Sequence, residues 1–310
     1  MAANNLDHDD NHGDNGGLGQ KNPRFGLFLA LAGSLIITPD TLLIRLSGLE
    51  GWGLSGWRGL LIGTSLLVLW LIMERGHLKQ DLRQLWTAPM FVVIGATILN
   101  TLTFNFAAVE TSITIVLTAI ATVPVLAAGL SYFVLKEATS RLTWIAIGCS
   151  LIGVIIVIMN GHGATLAPDG NVFFGGFLGI ISAFGLAAVF VWSRRHPTTP
   201  VVLGVAIGTV ASGAIGFVGA PSFALEADQI LPVILMGVLV MPVALACLSI
   251  APRYTPATNV SLFMLLEMVL GPIWVWAGTG EAPSLMMIMG TGLVLTTLTV
   301  YILQSAKSAS

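Results

Sequence analysis

Charge is what this chain has least of: Asp, Glu, Lys and Arg make up 9% of its 310 residues, against roughly 25% in soluble domains. With 55% hydrophobic residues, the composition excludes a soluble globular fold and calls for several membrane crossings. A net charge of -2 leaves no clustered basic face of the kind that holds nucleic acid. Cysteine is nearly absent as well. Cys149 and Cys247 both lie in apolar stretches, which leaves neither a disulfide framework nor a cysteine zinc site. The five histidines (His8, His12, His77, His162, His196) all fall outside those stretches, so HExxH metal chemistry and a buried Ser-His pair have no residues to use. No G-x-x-x-x-G-K-S/T loop occurs, so the chain is no ATPase. No cofactor or metal is expected, and any transport must be driven by a gradient.

Residues 1–22 are polar, acidic and rich in Gly and Asn, with no basic segment leading into an apolar core. This reads as a disordered acidic tail rather than a cleavable signal peptide. His8, Asp9, Asp10 and His12 lack the fixed framework that a metal site needs.

What the chain does have is apolar length. Ten stretches, about 25–44, 54–73, 88–107, 111–133, 142–160, 172–193, 200–220, 229–250, 255–277 and 285–303, are each near the roughly 20 residues that cross a bilayer as a helix. Charges collect in the short links between them. With the N-terminus inside, 11 of the 13 Lys and Arg fall on the inner side, and only Arg45 and Arg58 fall on the outer. That bias puts both termini in the cytoplasm.

The chain also repeats itself. Ser55-x3-Gly59-x3-Gly63 in the second stretch returns as Gly204-x3-Gly208-x3-Ser212-x3-Gly216 in the seventh, a shift of 145 (204 minus 59). Glu137 returns as Glu281, and Gly148 as Gly292, each a shift of 144. Each half holds five crossings, an odd number, so the second must enter the membrane from the opposite side. The expected fold is an all-α membrane protein of ten transmembrane helices in a 5+5 inverted-topology repeat, with repeats at 23–162 and 170–304. Gly59, Gly63, Gly204 and Gly208 are expected to let helix backbones approach closely.

Two acids lie within crossings. Glu267, near the middle of the ninth, is too costly to face lipid. It reads either as a substrate-amine ligand or proton acceptor, or as a hydrogen-bonded acid tying helices together. Asn259, Phe263 and Glu267 share one helical face. Asp40 follows Pro39 in the first crossing, at a depth near Arg58. The two form either an outer gate ion pair or interfacial charges that snorkel to water. Asn105, and Thr118 on the Thr114-Thr118-Thr122 stripe, are weaker candidate contacts, since a membrane Thr usually bonds back to its own helix. Trp274 reads as an interfacial anchor or a cavity wall.

The run ATVPVLAAGLSYFVLKEATSRLTWIAIGCSLIGVIIV, Ala121 to Val157, and the run RYTPATNVSLFMLLEMVLGPIWVWAGTGE, Arg253 to Glu281, resemble the corresponding elements of the two EamA domains of the drug/metabolite transporter superfamily. Met268 follows Glu267 here, where the family commonly has proline, which leaves the place of any break in the ninth crossing open. The resemblance implies a ten-helix secondary transporter, often an exporter of amino acids, nucleosides, amines or similar metabolites, working by alternating access. A flippase for a lipid-linked intermediate is the alternative, and a membrane-embedded enzyme or scaffold the third reading. Expected partners are a small-molecule substrate, the lipid bilayer and a proton as candidate coupling ion. The expected location is a bacterial inner membrane, as a monomer or homodimer.

Overall fold

The computed structural model describes residues 23–49, 51–73, 76, 78–110, 116, 119–159, 172–220, 223–279 and 285–308. The acidic tail, the link at 160–171, Thr114, Thr118 and Glu281 lie outside these residues. Among the described residues every regular element is a helix, as lipid demands of an open chain whose backbone must satisfy itself.

Among the described residues, ten apolar helices form the bundle. The first is Pro23–Ser47, the second Gly51–Met73, the sixth Val172–Arg195, the seventh Val201–Gly219, the eighth Ala227–Arg253 and the ninth Ala257–Thr279. The third is Ala88–Glu110, the fourth Val123–Leu135, the fifth Arg141–Met159 and the tenth Leu285–Ser308. Seven are long and apolar enough to span on their own, while the described apolar parts of the fourth, fifth and tenth are shorter.

The packing carries the repeat. The second span packs on the seventh, the fifth on the tenth and the fourth on the ninth, each a pair of counterparts. The third packs on the sixth and the first on the eighth; the fourth on the sixth and the first on the ninth; the third on the seventh and the second on the eighth. While the ninth span's further contacts with the fifth, sixth and tenth have no counterpart among the described residues, exchanging every helix for its counterpart five spans away returns these pairs unchanged. That is the signature of a two-fold between halves, and five crossings per half make the halves inverted.

The glycine positions show how the centre closes. A Cβ on Gly59 would lie 2.5 Å from Gly213 Cα, and one on Gly63 would lie 2.7 Å from Val210 N, so the second and seventh spans touch backbone to backbone. Gly204 and Gly208 face the third span instead, where a Cβ would meet Val93 Cγ1 at 2.8 Å and Thr97 Cβ at 2.7 Å. The small-residue ridge of the seventh span therefore serves two neighbours. Close van der Waals approach of this kind holds helices together where lipid offers no hydrophobic drive.

Irregularities sit elsewhere than in the ninth span. Its helix runs unbroken from Ala257 to Thr279 through Pro272. The eighth span contains a widened π turn over Leu235–Val240, just before Pro242, whose ring cannot continue an ordinary ladder. Such π segments are common at functional sites.

Candidate functional site

The site begins with a break in the first span. Helix Pro23–Ile37 stops at a turn of Thr38 and Pro39, and helix Asp40–Ser47 follows. Pro39 has no N–H to give Leu35, whose carbonyl oxygen is left free. Thr38 takes it up, its hydroxyl donating at 2.8 Å and its N–H at 3.3 Å. The same hydroxyl accepts the indole N–H of Trp274 at 2.8 Å, which fastens the break to the ninth span. Gly271 packs alongside, where a Cβ would lie 3.0 Å from Thr41 Oγ1.

The break turns Asp40 inward. It is buried, 1% exposed, and its Oδ2 accepts from Arg58 Nη2 of the second span at 2.7 Å. A charge this deep must be paired to persist. Arg58 also donates to Met236 Sδ at 3.3 Å and to Met241 Sδ at 3.6 Å, the first methionine within the π turn of the eighth span and the second just after it. The snorkelling alternative for Asp40 is thus replaced by a buried ion pair, because the Pro39 turn aims the carboxylate at the bundle. Its second oxygen, Oδ1, has no hydrogen-bond partner.

Glu267 enters from the ninth span. It is partly accessible although its helical neighbours Leu262 to Leu266 and Met268 are buried, and it makes no hydrogen bond among the described residues. Gly271, one turn further along the ninth span, packs against Thr41, the neighbour of Asp40. Two carboxyls and one guanidinium thus share the interior, contributed by three spans, with an excess of one acid. Chemically, such a cluster can take one further positive charge, from a proton or an amine.

The other sequence candidates are placed differently. Asn259 is buried, its Nδ2 donating to Thr255 Oγ1 at 3.1 Å and its Oδ1 accepting from Tyr301 OH at 2.6 Å. Tyr301 OH lies 3.2 Å from Thr143 Oγ1, so the ninth, tenth and fifth spans are joined through one polar chain. Asn105 is half-buried and makes no hydrogen bond among the described residues. Thr122 and Thr97 bond back to Ala119 O and Val93 O of their own segments. Trp274 is 43% exposed apart from its tie to Thr38. Sequence reasoning passed over Thr38, Met236, Met241 and Tyr301. The Thr-Pro pair was the readable signal for Thr38, whereas the methionines looked like ordinary apolar filling.

Apolar helices that enclose a buried charge cluster are an arrangement secondary transporters use. Comparison with known proteins makes the class narrower: the EamA-like transporter family matches residues 24–159. The match covers only the first half of the chain, which is thereby similar to an EamA domain. A solved crystal structure of a protein superposes with a TM-score of 0.75 at 18% identity, covering 90% of this chain and 98% of that one. The shared architecture therefore extends well beyond the matched half. No curated protein matches the sequence.

Proposed function

We propose that the protein exports a small polar or amphipathic metabolite, such as an amino acid, nucleoside or amine, by alternating access between repeats at 23–162 and 170–304. In this reading it lies in a bacterial inner membrane with both termini cytoplasmic. The observation that carries it is Glu267, a partly accessible carboxyl with no hydrogen bond among the described residues, one turn from the Gly271–Thr41 contact that adjoins the Asp40–Arg58 pair. A structural acid would be expected to be bonded, so a free one in the bundle suits a ligand or a proton. Asp40 and Arg58 act as the gate pair, with Trp274 as the wall that moves with the first-span break.

The test is flux in proteoliposomes with a panel of amino acids, nucleosides and amines under an imposed pH gradient. Glu267→Gln is expected to lose at least tenfold in rate, and the remaining flux should no longer follow the gradient. Wild-type rates with wild-type pH dependence in the variant would end the assignment.

A further inference from the structure

Between the second and third spans lies a short helix, Leu78–Gln84, whose two sides differ sharply in charge. Its one acid, Asp81, is buried at 7% exposure and accepts the indole N–H of Trp70 at 2.8 Å. Its two cations, Lys79 and Arg83, stand one turn apart on the opposite side, exposed, and neither has a hydrogen bond or ion pair among the described residues. Withdrawing the acid inward leaves a purely cationic outer face.

That face is concave. Lys79, Gln80, Arg83, Gln84 and Thr87 line an open depression of about 590 Å³. The side-chain amides of Gln80 and Gln84 add donors beside the two charges. Trp86, 83% exposed, and Leu82, 49% exposed, flank it with apolar surface. The helix sits between the end of the second span at Met73 and the start of the third at Ala88. That is headgroup level, where indole rings settle.

We propose that this depression binds the phosphate-bearing headgroup of an anionic phospholipid, with Lys79 and Arg83 on the phosphate and Trp86 against the upper acyl chain. Two cations with no partner among the described residues, with two glutamine side chains alongside, suit an anion. The exposed Trp86 and Leu82 commit the site to a lipid rather than to free phosphate, which would have no use for apolar flanks.

The full chain in detergent is titrated with short-chain phosphatidylglycerol, short-chain phosphatidylcholine and inorganic phosphate, following thermal unfolding. Phosphatidylglycerol alone is expected to raise the Tm. Each basic residue near the surface contributes about fivefold to anionic-lipid affinity, so Lys79→Gln/Arg83→Gln should weaken binding on the order of 25-fold. Lys136→Asn, which removes a cation from a different turn, should leave it unchanged. In vesicles, brominated phosphatidylglycerol should quench the fluorescence difference between wild type and Trp86→Phe more than brominated phosphatidylcholine does. Equal response to phosphatidylcholine, unchanged affinity in the double variant, or the same Tm rise with inorganic phosphate would each overturn the proposal.

Discussion

Arg58 Nη2 donates to Asp40 Oδ2 at 2.7 Å, linking the second span to the half-helix that follows the Pro39 break. The pair is buried on the carboxylate side, at 2% exposure, and nearly so on the arginine side, at 14%. Its two methionine contacts add weak acceptors but no counter-charge. The ion pair and the break therefore depend on each other.

Removing one partner strands the other. Arg58→Met is expected to cost about 3–5 kcal/mol by leaving Asp40 unpaired in the interior. Adding Asp40→Asn should recover most of that loss, since both charges are then gone. Denaturant unfolding in micelles of the two single variants and the double variant measures it. Additive costs would mean that the charges do not meet.

Glu267→Gln should behave in the opposite way. Glu267 makes no hydrogen bond among the described residues, so the isosteric amide should change stability by no more than about 0.5 kcal/mol while transport falls. A large drop in Tm would identify the acid as a fastener of helices.

The helix crossings can be tested at glycines that differ only in space. Gly59→Leu and Gly208→Leu must displace the Gly213 backbone and the Thr97 side chain respectively, at a cost of about 1–3 kcal/mol or more. Gly148→Ala meets nothing within 4 Å and should be neutral. Thermal unfolding of the three side by side gives the answer.

The Trp274–Thr38 bond can be isolated by a double-mutant cycle with Trp274→Phe and Thr38→Val. Interhelical hydrogen bonds in membranes contribute about 0.6 kcal/mol on average, so a coupling energy of that order is expected. A value of zero would mean that the indole does not hold the break.

Several features were readable from residue order because each has a local cause. Apolar runs of spanning length set the ten helices, and the recurring offset of 144 to 145 residues between Gly59 and Gly204, or Glu137 and Glu281, carried the repeat. Pro39 announced a break, and the Gly and Ser ridges announced close crossings. What could not be read was direction of contact. Asn259 shares a face with Glu267 in sequence, yet it is engaged by Tyr301, 42 residues away. Gly204 and Gly208 lie on the ridge of the seventh span but turn to the third, because a helix crossing two neighbours presents different parts of one stripe to each. Met236 and Met241 gave no warning, since their role arises only when a guanidinium from the second span arrives beside the π turn.

The sequence by itself determined that this chain lives in a bilayer, how many times it crosses, and that its halves are inverted copies. Hydrophobic length and periodicity are properties of a single strand of residues and need no partner. Only the tertiary structure decided which charges meet. Asp40 took Arg58 rather than water, and Glu267 has no hydrogen bond among the described residues, because pairing in a low-dielectric interior depends on the ångström-scale approach of separate helices.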